Sequence, residues 1–150
     1  MLLVTCSLKH THTLARLKLY FQNLLTHRQW LVEKFALLNP ESRIGVGIGQ
    51  WLLNCTKDRC LTVFSLVIPQ KLTTSIYDHL AWGLIGLYKR HQEETVYRRV
   101  NIGNVEDHAQ LKVVEKRSLQ SNDSYRLLLL DEVIHVVKTI SPVHRYPLIS

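Results

Sequence analysis

Thr73-Thr-Ser-Ile-Tyr-Asp-His-Leu-Ala-Trp-Gly-Leu-Ile-Gly-Leu-Tyr-Lys-Arg90 is the stretch whose conformation decides the fold. Ile76, Leu80, Leu84 and Leu87 recur at three- and four-residue spacings, and Trp82, Ile85 and Tyr88 widen the stripe. Apolar residues at those intervals share one face of a helix. Thr73 or Ser75 supplies an N-cap, and Asp78 is placed to answer Ser75 across the first turn. Lys89, Arg90 and His91 close the segment, where cations complement the helix dipole. The spacing therefore predicts a central helix ending near Arg90.

Upstream, Leu14, Leu17, Phe21, Leu24, Leu31, Phe35 and Leu38 predict a helix over 13–38, stopped by Asn39-Pro40. The stripe lapses at Arg28, so it reads either as a docked amphipathic helix or as a dimerising seam. Ile44, Val46 and Ile48 then alternate with Gly45, Gly47 and Gly49, a strand with one bare face. No Lys-Ser/Thr pair follows, which argues against a phosphate loop. Leu61 to Ile68 is a second strand, and Thr56-Lys-Asp-Arg59 turns the first into it.

Downstream, strands are expected over 95–102 and 111–119. A Gln120-Ser-Asn-Asp-Ser124 turn leads into an apolar run from Tyr125 to Val137, broken or not at Asp131-Glu132. Residues 141–150 read as an extended tail. The expected architecture is a single α+β domain over 1–150: a five-stranded, mainly antiparallel sheet with helices on one face. Its order is α-β-β-α-β-β-β, with the glycine-bearing hairpin near the centre.

The chain has 150 residues, is 46% hydrophobic and carries a formal net charge of +7. That composition excludes a disordered chain, a collagen and a disulfide mini-protein. No apolar run approaches the ~20 residues of a membrane span, and Met1 to Leu8 is too short for a signal-peptide core. With three cysteines and no secretion signal, the expected location is a reducing cytoplasm, and Cys55 and Cys60 read as buried free thiols.

Catalytic chemistry finds little support. Cys6, His10 and His12 lack the second ligand pair of a zinc site, so a metal-dependent hydrolase built there ranks third among the functional readings. Asp78-His79 and Asp107-His108 are adjacent in sequence, and adjacent residues do not face one another on a helix. Asp131-Glu132 is the one carboxylate pair in an apolar setting. No catalytic residue, metal or cofactor is assigned, and no small-molecule substrate is inferred.

The stronger signal is charge. Lys89, Arg90, Arg98, Arg99, Lys112, Lys116, Arg117 and Arg126 cluster within 38 residues. Period-two spacing predicts Lys112 and Lys116 on one strand face. With Arg126 and one of Arg98 and Arg99 they would form a phosphate-attracting patch about 15 Å across. Tyr97 and Tyr125 stand nearby as candidate stacking residues for single-stranded nucleic acid.

Leu61-Thr-Val-Phe-Ser-Leu-Val-Ile68, Thr74-Ser-Ile-Tyr-Asp78, Tyr88-Lys-Arg90 and Tyr97-Arg-Arg-Val-Asn-Ile-Gly103 together resemble the strand–helix–strand segment of rhabdovirus matrix proteins. The resemblance covers under a third of the chain. It implies a small basic protein that self-associates, coats anionic membrane and condenses a nucleocapsid. Lys89, Arg90, Arg98 and Arg99 would then lie on the contact surface, and the site of action would be a membrane surface or a virion. A Lys-rich N-terminal tail and a Pro-Pro-x-Tyr motif are absent from this sequence. The element order is also similar to roadblock or longin scaffold domains, which implies a dimeric adaptor as the alternative. The expected function is thus non-enzymatic binding to anionic headgroups or nucleic acid, with self-association.

Overall fold

The computed structural model describes residues 1–6, 11–27, 29–42, 47–79, 82–101, 108–127 and 134–140. Among them the chain runs β1 (Leu2–Cys6), α1 (Thr11–Thr26), a 3-10 turn (Glu33–Ala36), β2 (Gly49–Cys55) and β3 (Leu61–Val67). It continues with β4 (Tyr77–Asp78), β5 (Trp82–Gly86), β6 (His91–Arg99), β7 (Leu111–Leu119), β8 (Ser124–Leu127) and β9 (Ile134–Ile140). The strands form two sheets, ordered β2-β3-β1-β5-β8 and β4-β9-β6-β7. Every pairing between them is antiparallel. The protein is therefore mostly β with one α-helix among the described residues, and the α+β arrangement of one helix-covered sheet is corrected.

The correction centres on 73–90, which holds β4, β5 and a turn instead of a helix. Residues 83–88 are all buried, so this stretch is apolar on both faces. Such a run satisfies a period of two as well as 3.6. Two glycines lower its helix propensity by about 1 kcal/mol each. Tertiary pairing decides the outcome: β1 offers β5 a full antiparallel edge, with Leu3 opposite Ile85 and Val4 opposite Leu84. Gly86 lets the helix approach closely, because a Cβ would lie 2.5 Å from Leu25 Cδ1 and 2.7 Å from Phe21 Cε1 and would displace those side-chain ends. At Gly83 it would strike the Val4 carbonyl. The apolar N-terminal residues that resembled a failed leader are thus the middle strand of the larger sheet.

Helix α1 stops at Thr26, two residues before the lapse at Arg28, and does not reach Leu38. Its last carbonyls are capped by the returning chain: Trp30 Nε1 donates to Leu24 O at 2.6 Å, and the His27 amide donates to Asn23 O at 3.1 Å. Trp30 packs edge-on against Tyr88, whose hydroxyl donates to His27 O at 3.0 Å. Phe21 and Leu25 bury themselves against Leu2, Val4, Leu84 and Tyr88 on one face of the larger sheet. Leu3, Leu66, Ile85 and Leu127 cluster on the other face. Burying side chains of this size is worth about 1.5–3 kcal/mol each.

The Thr56–Arg59 hairpin forms as expected, but β2 lies at the sheet edge instead of its centre. Cys55 ends that edge strand exposed while Cys60 is half-buried; both are free thiols, so the expectation that both are buried fails at the edge. Strand β7 has the expected bounds, and β6 begins four residues earlier than expected because His91–Glu94 belongs to it. The 125–137 run divides into β8 and β9 of different sheets, with Asp131-Glu132 outside the described residues. So are residues 43–46, which carry part of the glycine alternation, Asp107, and the 141–150 tail.

Candidate polyanion surface and a buried carboxylate–imidazole cluster

The eight cations signalled by sequence are distributed along β6 and its neighbours, and only three converge. Lys89 and Arg90 form the turn before β6, whereas Arg98 and Arg99 end it. Eight strand residues separate those ends by about 26 Å. Lys112 lies directly opposite Arg98, Lys116 opposite Thr95 and Arg117 opposite Glu94. The register shifts between Val96 and Tyr97, leaving Val114 as the extra residue of β7. A bulge of this kind inverts the alternation beyond it. Lys112 therefore shares a face with Arg98, and Lys116 shares the opposite face with Thr95 and Arg99. The single-face expectation for the two lysines is corrected.

Arg117 and Arg126 also leave the patch. The Arg117 guanidinium lies 4.9 Å from the Tyr125 ring centroid and donates to Glu115 Oε2 at 2.7 Å. Arg126 pairs with Leu84 in the other sheet, on the side that carries α1. Tyr125 is likewise no exposed stacking residue, because its hydroxyl reaches between the sheets to Glu94 Oε1 at 2.6 Å. What remains together is Arg98, Arg99 and Lys112 at one end of the β6–β7 ribbon. Like charges directly opposite on a sheet repel by a fraction of a kcal/mol. Among the described residues, none of the three has an acidic partner. Val100, Val113 and Val114 beside them are 54%, 45% and 41% exposed. Asn101 holds the ribbon end in register, accepting from the Gln110 amide at 3.0 Å and donating to His108 O at 2.9 Å.

A second constellation lies between the sheets. Glu94 and His135 are fully buried, and Glu94 Oε1 accepts from His135 Nδ1–H as well as from Tyr125. Among the described residues, Glu94 Oε2 has no hydrogen-bond partner. His135 Nε2 lies 2.9 Å from His79 Nε2. Tyr77 stacks beside both imidazoles, with ring centroids 4.5 Å from His135 and 5.1 Å from His79. The register assembles the group. His135 is opposite Val96 on β6 and Tyr77 on β4, while Glu94 is opposite Val137, so alternation turns Glu94 and His135 to the same face.

Burial first, and the neighbouring His135 second, bring the His79 imidazole down to about 4, against smaller opposing pulls from Asp78 and Glu94. Burial and the Glu94 carboxylate push the Tyr77 phenol up. The same causes, with the hydrogen bond to Glu94, raise Tyr125. The sequence reading missed this cluster. Its one legible signal was His135, a lone imidazole in an apolar strand that must find a partner when buried.

Among the described residues, no group of three or more His, Cys, Asp or Glu side chains is arranged to hold a metal ion. The His10 position and the side chains of Cys6 and His12 lie outside the described residues. No helix among the described residues is long and apolar enough to cross a membrane. Neither the protein-family models nor the curated proteins compared with this chain give a match.

Proposed function

We propose that this chain is a non-enzymatic basic binding protein that attaches to an anionic phosphate-bearing surface through the end of the β6–β7 ribbon. The observation that carries the reading is the placement of Arg98 opposite Lys112, with Arg99 adjacent and Val100, Val113 and Val114 exposed beside them. Arg98 and Arg99 project from opposite faces, so a flat surface meets both only when the ribbon approaches end-on. Cations interleaved with small apolar side chains suit a lipid headgroup layer, where each Lys or Arg contributes about 1 kcal/mol and valines enter the acyl boundary. Sequence-reading of nucleic acid would instead call for exposed aromatic platforms or a recognition helix.

Co-sedimentation with phosphatidylserine-containing and pure phosphatidylcholine vesicles, at low and high salt, tests the proposal. Binding is expected only to the anionic vesicles, weakened by salt. The triple reversal Arg98→Glu, Arg99→Glu, Lys112→Glu should reduce it by more than 100-fold, as the loss of about 3 kcal/mol requires. Lys89→Glu with Arg90→Glu should leave most of it. Binding to single-stranded RNA in preference to vesicles would reassign the surface, and no effect of the triple reversal would overturn it.

A further inference from the structure

Between the inner face of the larger sheet and the segment leading into β4 lies a cavity of about 500 Å³. The sheet side contributes Leu3, Phe64, Leu66 and Ile68 together with the polar Thr5 and Gln50. The other side is polar and includes Tyr77, Asp78 and His79. Volume and mixed lining match those of sites for small organic ligands. The lining includes no residue of the β6–β7 ribbon end, and the cavity plays no part in the surface proposed above.

The buried cluster fixes what His79 offers. With His135 Nδ1–H donating to Glu94 Oε1, the one-proton tautomer of the ring presents its Nε2 lone pair to His79. The 2.9 Å contact from that nitrogen to His79 Nε2 then requires His79 Nε2–H as donor. His79 Nδ1 is left as a hydrogen-bond acceptor on a ring that lines the cavity. Burial keeps this imidazole neutral at pH 7 and keeps the Tyr77 phenol protonated as a donor. The polar end thus combines an acceptor, a donor and the Asp78 carboxylate nearby.

We infer that the cavity binds a small, uncharged amphipathic alcohol or phenol, its apolar body against Leu3, Phe64 and Leu66 and its hydroxyl between His79 and Tyr77. A hydroxyl satisfies both partners, because it donates one hydrogen bond and accepts others. A carboxylate has no proton for His79 Nδ1 and would sit near Asp78. A hydrocarbon leaves both polar groups without partners, which is penalised more than the bond itself is worth.

Titration of the full chain with 4-butylphenol, butylbenzene and 4-butylbenzoate, followed by calorimetry and by the imidazole nitrogen signals of His79, tests this directly. The phenol is expected to bind about tenfold or more tightly than butylbenzene, and to shift the His79 Nδ1 resonance. Ile48→Trp, which adds bulk to the lining and leaves the imidazole residues unchanged in sequence, should abolish binding of both. His79→Phe should erase the preference while leaving butylbenzene binding in place. Equal affinity for phenol and hydrocarbon, preference for the benzoate, or no binding of any probe to the wild-type chain would overturn the inference.

Discussion

The two faces of the larger sheet enclose interiors of opposite character. On the α1 side, Phe21, Leu25, Leu2, Val4 and Leu84 form an apolar layer, and α1 approaches so closely that a Cβ on Gly86 would displace the Leu25 and Phe21 side-chain ends. On the other side, Leu3, Ile85 and Leu127 meet a sheet whose inner face carries Gln92, Glu94, His135 and Thr139, all buried. Among the described residues, Glu94 Oε2 and Gln92 Oε1 find no hydrogen-bond partner there, against Trp82 Nε1 on the α1 side, and a cavity of about 500 Å³ adjoins. An unsatisfied buried polar atom costs about 1–3 kcal/mol. The first interior stabilises the fold; the second is held at a cost and is the one with groups able to recognise a ligand.

Substitutions can break that contrast, in descending order of expected effect. Phe21→Asp should abolish folding, and Phe21→Ala should cost about 4 kcal/mol in urea denaturation, because Phe21 packs among Leu2, Val4, Leu25 and Leu84. Glu94→Ala should cost about 3 kcal/mol by stranding His135 and the Tyr125 hydroxyl. The further change His135→Leu should recover part of that loss, an outcome with no counterpart on the helix side. Additive losses in the double variant would show that the cluster is not one coupled unit.

The pH dependence sharpens the same comparison. His79 titrates near 4 in the folded state against an ordinary 6.5, so the unfolded chain binds the proton more readily. Its contribution is complete above pH 6.5 and is lost as pH falls toward 4, an interval worth about 3 kcal/mol. His135, Asp78, Glu94 and Tyr77 are the titratable groups that face or flank the ring. Denaturation midpoints between pH 7.5 and 4 should fall steeply in the wild type and less steeply in His79→Phe. The smallest stability effect expected is Gly86→Ala, about 1–2 kcal/mol, since Phe21 and Leu25 side-chain ends can yield. Glu106→Gln with Asp107→Asn removes two carboxylates that lie in sequence between Arg99 and Lys112, and should strengthen vesicle binding severalfold.

Where local signals dominate, the sequence was readable. The Thr56–Arg59 turn, β3 and β7 follow from β-branched or alternating runs bounded by turn residues, whereas the helix expected over 13–38 ends at Thr26, because the apolar spacing continues past Arg28 after the helix has stopped. Residues 82–88 failed because burial on both faces erases the periodicity, and only the pairing with β1 decides their conformation. The candidate surface failed in part for a related reason. One bulge at Val114 separates Lys112 from Lys116, and sequence spacing carries no mark of it. Glu94, His135 and His79 come from β6, β9 and the end of β4, so their convergence depends on a sheet order that local pattern does not encode.

Amide hydrogen exchange of the full chain, with and without phosphatidylserine-containing vesicles, tests the central claim most directly. The account predicts new protection confined to residues 97–101 and 108–114 at the end of the β6–β7 ribbon. Protection centred on the Lys89–Arg90 turn, or none at the ribbon end under conditions where the protein co-sediments with the vesicles, would contradict it.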